Sequence, residues 1–133
     1  MAKFSPNASC PCGSKLKYKK CCAIYHKGAW ASNALALMKS RYSAYVFGNA
    51  DYIIQTTHRD NSDYTSDTTE WKASILEFSH QTNFLNLEII EFIDGPSEAF
   101  VTFEADLSSG LLKEKSRFLK TDGRWLYADG IFL

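Results

Sequence analysis

Four cysteines lie in one short segment, CPCGSKLKYKKCC, and the chain has no others. Their spacing is C-x-C-x₈-C-C, from Cys10 and Cys12 to Cys21 and Cys22. Zinc takes four soft donors in a tetrahedron at ~2.3 Å, and thiolate sulfur is such a donor. Two close pairs joined by a short loop can therefore wrap one ion, and Gly13 frees the backbone to turn after the first pair. The loop carries Lys15, Lys17, Lys19 and Lys20. These cations favour the thiolate form and offset the charge of a four-sulfur site. A complete set of four protein ligands leaves no open position, so the expected Zn2+ is structural. His26 could substitute as a ligand, but four cysteines make it unnecessary. The competing readings are two disulfides or four free thiols. Adjacent Cys21 and Cys22 are poorly placed to bridge each other. The opening Met1–Asn7 holds no apolar leader, which points to the cytoplasm, where thiols stay reduced.

A second set of residues could line a pocket: Arg41, Tyr45, His58, Glu114, Arg117 and Asp129. Arg41 and Arg117 could instead pair with Asp129 or Glu114 and anchor a helix to a sheet, and that plainer role is preferred. For His58, a helix C-terminal cap is preferred over a catalytic base. Trp71 and Trp125 read as core residues. The chain shows no nucleophile motif, no phosphate-binding glycine loop and no second metal cluster, so whether it is an enzyme stays open.

The elements that must position these groups follow from the hydrophobic pattern. Leu35, Leu37, Met38, Tyr42, Tyr45 and Val46 recur at helical spacing, with Ser32 as a possible cap and Gly48 as the stop. A short helix is expected over Asp51–Ile54. Residues 58–67 read as a polar loop. Asp67 or Thr68 then caps a helix with Trp71, Ile75, Leu76 and Phe78 as its apolar set. From residue 84 onward the pattern becomes strands: Leu85–Ile93, Glu98–Leu107, Leu111–Lys120 and Arg124–Phe132. Short turns between them predict an antiparallel meander. Helices first and strands after give an α+β fold, with helices packed on a curved antiparallel sheet. Such a cone can enclose an apolar cavity.

The register of the last hairpin stays open. With Asp122-Gly123 as a two-residue turn, Ser116 opposes Asp129 and Phe118 opposes Tyr127. With a three-residue loop ending at Gly123, Lys115 opposes Asp129 and Arg117 opposes Tyr127. The one-residue difference exchanges the faces.

Hydrophobic residues make up 45% of the 133, enough for a core and against global disorder. No stretch approaches the ~18 apolar residues of a membrane span. The net charge of zero hides an asymmetry, because residues 1–50 hold eight basic and no acidic side chains. The remainder holds the other 7 basic residues and all 15 acidic ones, so 7 − 15 = −8. A basic end on an acidic body can dock an acidic partner or a phosphate backbone, or the two parts can attract each other.

Cys10, Pro11, Cys12, Gly13, Ser14, Lys17, Tyr18, Lys19, Cys21 and Cys22 resemble the SEC-C motif, the zinc hairpin of the SecA C-terminal tail. Lys15 stands where that motif usually has glycine, and Leu16 also departs from it. The stretches Leu37–Val46, Asp51–His58, Lys115–Lys120 and Gly123–Gly130 are similar to the YchJ family (UPF0225). That resemblance implies a zinc hairpin over residues 1–28 and an NTF2-like cone over residues 29–133, with no established activity. The resemblance to the SecA tail implies an interaction module. Its lysine face (Lys17, Lys19 and Lys20, with Tyr18) would contact an acidic protein or a ribosome. The alternative is a small-molecule binder or enzyme built on the cone. Nucleic-acid binding through six lysines in the first 27 residues is the third reading.

Overall fold

The computed structural model describes residues 5–133. The expectation of no leader at Met1–Phe4, and the share of Lys3 in the basic end, lie outside the described residues.

The cysteine segment folds back on itself through a few backbone bonds. Ser9 and Lys17 form an antiparallel bridge. The Tyr18 N–H donates to the Ala8 carbonyl and the Cys10 N–H to the Leu16 carbonyl, both at 2.8 Å. A 3₁₀ turn at Tyr18–Lys20 leads into a one-turn helix, α1 (Cys22–His26).

The longer helices are α2 (Ala34–Phe47), α3 (Ala50–Gln55) and α4 (Thr69–Gln81). Asn33, not Ser32, caps α2: its backbone is extended and its side chain accepts from the Ala36 N–H at 2.8 Å. Gly48 stops α2 at φ +70°, and Asn49 caps α3 by accepting from the Tyr52 N–H at 3.2 Å. Two residues thus end one helix and start the next. At α4 the Asp67 carboxylate takes the first free N–H, that of Thr69, at 3.1 Å. Of its expected apolar set, Ile75 is buried and Trp71 half-buried, while Leu76 and Phe78 are exposed.

Four strands form one antiparallel sheet in the order β1 (Phe84–Ile93), β2 (Glu98–Leu107), β3 (Gly110–Thr121), β4 (Arg124–Phe132). In β2 the residues Ala99, Val101, Phe103, Ala105 and Leu107 all face the core. Helices pack on that face, around Leu37, Ile53, Val101 and Phe118. This is the expected α+β arrangement.

The β3–β4 hairpin follows neither expected register throughout. Asp122 and Gly123 both take positive φ, +52° and +77°, the signature of a two-residue turn matched to strand twist. Phe118 opposes Tyr127, as that turn predicts, but Ser116 does not oppose Asp129. An extra residue, Ala128, shifts the ladder so that Arg117 opposes Asp129 and Ser116 opposes Gly130. Such a bulge reverses which residues face inward. Asp129 turns out of the cone, while Gly130 and Phe132 turn toward it. The chain after α3 covers this edge. The His58 N–H donates to the Tyr127 carbonyl and the Tyr127 N–H to the Thr56 carbonyl, each at 2.8 Å. Asn61 Nδ2 donates to the Ala128 carbonyl at 2.7 Å.

Candidate functional site

The cysteine pairs are set by the turns around them. Gly13 takes φ +83°, which lets its N–H reach back to the Cys10 carbonyl at 3.2 Å. Lys15 also takes positive φ, +69°. The 3₁₀ turn then presents Cys21 and Cys22 from the far side. One donor atom from each of the four cysteines lies within 4.8 Å of all the others. Cys12 and Cys21 sulfurs are 3.6 Å apart. Sulfurs bound tetrahedrally at ~2.3 Å would sit about 3.8 Å from one another, so the four can close on one ion with small shifts. Cys10, Cys12 and Cys22 are buried and Cys21 is half-buried, none of them in a disulfide.

Two hydroxyls support the sulfurs. Ser14 Oγ lies 3.1 Å from the Cys21 sulfur and accepts from the Leu16 N–H at 3.2 Å. Ser43 Oγ, on α2, lies 3.5 Å from the Cys10 sulfur. The thiols also perturb one another. Hydrogen bonds from Cys12 and Cys22 push the Cys10 thiol well down. Cys12 is pushed up to about 11, chiefly by its bond to Cys10. Cys22 is pushed up by its bonds to Cys10 and Cys12. Four crowded thiols cannot all ionise against their own repulsion, and a dication among them removes that conflict.

The hairpin is seated on the body by packing rather than charge. Tyr18 is buried, edge-on to Phe47 at 4.8 Å, and its hydroxyl donates to His26 Nδ1 at 2.6 Å. His26 Nε2 in turn donates to the Ser40 carbonyl at 2.8 Å. Both ring nitrogens are thus occupied away from the sulfurs. Burial holds the His26 pKa down, so the ring stays neutral. The expected docking face therefore loses Tyr18 to the interior. Lys15, Lys17, Lys19 and Lys20 are exposed, and none forms an ion pair among the described residues.

The cone holds an open cavity of about 1080 Å³. Of the expected polar set, Arg41, Tyr45 and Glu114 line it, while His58, Arg117 and Asp129 do not. Arg41 makes no ion pair with Asp129 or Glu114. Its Nη1 donates to the Ile53 carbonyl (3.0 Å), Thr56 Oγ1 (2.7 Å) and Thr57 Oγ1 (3.2 Å), and its guanidinium lies 4.7 Å from the Tyr127 ring centre. Its hydrogen bonds anchor α2 to the end of α3, and its contact with the sheet is the Tyr127 ring of β4 rather than an ion pair. Arg117 pairs with Asp129 at 2.8 Å and Glu98 at 2.9 Å on the outer sheet face. The bulge at Ala128 is the reason. His58 Nδ1 accepts from the Asp60 N–H at 3.0 Å, so its side chain closes a turn and neither caps α3 nor faces the cavity. Trp125 is a core residue, whereas Trp71 lines the cavity.

Ser43, Ser14, Ser116, Tyr127 and Gly130 take part here without having been among the expected ligand or pocket residues. Ser40 and Ser43, three apart on α2 and both fully buried, were the one legible hint of a second contact face on that helix. Glu114 Oε2 accepts from Ser116 Oγ and, at 3.1 Å, from the Tyr127 hydroxyl. A Cβ at position 130 would overlap the Glu114 carboxylate, so only glycine leaves it room there.

Comparison with known proteins now bears on both sites. Residues 7–23 match the SEC-C motif, and residues 33–130 match the family described as the middle NTF2-like domain of YchJ. A UPF0225 protein of Streptomyces coelicolor is 39% identical over 132 residues, covering 96% of this chain and 98% of the relative. One from Serratia proteamaculans is 40% identical, covering 91% of this chain and 81% of the relative. A SEC-C motif containing protein from Rhodopseudomonas palustris has a solved structure with TM-score 0.77 and 28% identity, covering 95% of this chain and 99% of that one. Another, from Psychrobacter arcticus, has TM-score 0.78 and 27% identity, covering 93% and 82% respectively. Among the described residues, no helix is long and apolar enough to cross a membrane.

Proposed function

Because the chain belongs to the YchJ (UPF0225) family, an SEC-C motif joined to an NTF2-like domain, we propose that it is a zinc-stapled binding protein whose cone pocket receives a small molecule. Zinc is the ion that a closed, four-thiolate site favours, and it supplies folding energy to a segment with little core of its own. Protein purified under reducing conditions is expected to carry one equivalent of zinc. Less than half an equivalent would sink that part.

The pocket carries the binding role. Its volume lies just above the roughly 300–1,000 Å³ range of ligand sites, and its walls are mostly apolar with a few inward polar groups. N-phenyl-1-naphthylamine, a neutral apolar dye, should brighten at a single site. Leu112→Trp, which fills the cavity, should abolish the response. An unchanged response in that variant would place the dye elsewhere.

A second reading rests on the exposed Lys15, Lys17, Lys19 and Lys20, which form no ion pair among the described residues. They form a basic face suited to an acidic protein or the phosphates of a ribosome. Replacing Lys17, Lys19 and Lys20 together with alanine should remove ribosome or acidic-protein capture. Identical capture by the variant would refute it.

A further inference from the structure

We propose that the cone pocket selects an organic cation: an amine or quaternary ammonium group carried on an aromatic or aliphatic body. The proposal deepens the pocket reading above and rests on it. Glu114 lines the cavity, yet its residue is only 9% exposed. Ser116 Oγ and the Tyr127 hydroxyl both donate to Oε2 and none donates to Oε1 among the described residues. Two hydroxyl donors thus fix the Oε2 side of the carboxylate and leave Oε1 to face a guest. Among the described residues, Ser79 Oγ is the sole fully buried side-chain polar atom without a partner, so Oε1 keeps access to the cavity. The carboxylate also has a built seat, because Gly130 leaves the space it occupies.

Arg41 does not pair with it. The guanidinium makes no ion pair with Glu114, and its Nη1 is engaged by the Ile53 carbonyl and the Thr56 and Thr57 hydroxyls. The Tyr127 ring faces Arg41 while its hydroxyl reaches Glu114, so the two charged groups engage different parts of one side chain. Asp63 and Glu70, both exposed, add two more carboxylates to the lining, so one guanidinium stands against three carboxylates. Tyr45, Trp71, Phe78, Phe84 and Phe132 supply aromatic faces, and the electron-rich face of a ring attracts a cation. A neutral apolar guest would instead strip water from Oε1 and leave it without a partner. An anion would meet Glu114 directly.

The test uses the zinc-loaded full chain and three indoles of matched size. These are tryptamine (cation), 3-ethylindole (neutral) and indole-3-propionate (anion), titrated at neutral pH by calorimetry. Tryptamine should bind at least tenfold tighter than the other two. Glu114→Gln should erase that preference, chiefly by weakening tryptamine at least tenfold. Equal affinities, or tighter binding of the anion, would overturn the cation proposal while leaving the pocket reading intact. Binding by none of the three would remove both. Should Glu114→Gln not fold, Asp63→Asn with Glu70→Gln changes only exposed charges. At low salt this pair should weaken tryptamine by about threefold, the scale of a partly screened surface charge. Unchanged affinity there would count against the proposal.

Discussion

Lys15 sits at φ +69°, where a Cβ crowds the following carbonyl, at a position where SEC-C motifs usually have glycine. The strain is part of the loop that brings Cys12 toward Cys21. Lys15→Gly should therefore raise the midpoint of thermal unfolding, by up to about 1 kcal/mol in stability, without changing zinc stoichiometry. Ser43 acts at the same scale. Its hydroxyl supports the Cys10 sulfur from outside the motif, and removing such support lowers metal affinity about 10- to 100-fold. Ser43→Ala should shift zinc affinity by at least tenfold in competition with a chromophoric chelator, leaving one equivalent bound at saturation. The cysteines were legible because ligand type and spacing are local. Ser43 was not, because its partner lies 33 residues away in the chain.

Among the elements, α2 and the β3–β4 hairpin decide most of the architecture. The expected apolar stripe on α2 describes only the side toward the sheet. The helix also packs Ser40, Ser43 and Phe47 against the cysteine hairpin, through His26, Cys10 and Tyr18. A helix covered on several sides loses a clean periodic stripe. This seat implies that the metal holds one element rather than the whole fold. Chelation at neutral pH should expose the segment around Lys15–Lys20 to trypsin within minutes, while strand circular dichroism and Trp125 fluorescence persist. Simultaneous loss of all three would show that the cone needs the metal. In the hairpin, the turn was readable from Asp122-Gly123. The bulge at Ala128 was not, because no local residue preference demands it. What holds it is Asn61, reaching its carbonyl from a loop far away in sequence.

On the scale of the whole molecule, one core serves the pocket and the seat of the hairpin. Phe118 is 1% exposed and packs edge-on to Tyr127 at 5.7 Å, beneath the pocket floor. Phe118→Ala should destabilise the cone by about 3–5 kcal/mol, a large share of the roughly 5–15 kcal/mol that holds such a domain together. Urea unfolding followed by tryptophan fluorescence would measure it. A loss below about 1 kcal/mol would mean the cone closes over the gap. The charge asymmetry also takes its meaning here. No ion pair joins the basic hairpin to the acidic body among the described residues, so the mutual attraction considered from composition is not what seats it. The sequence by itself determined the four-cysteine cluster, the succession of helices and strands, and the α+β class. Each of these is set by residue type and short-range period. Tertiary structure alone decided that Asp129 and Arg117 face solvent, that His58 closes a turn, and that Glu114 stands in the cavity beside Gly130. The place of Asp129 opposite Arg117, and of Gly130 beside Glu114, hangs on a single bulge, because a one-residue shift in a strand exchanges its two faces.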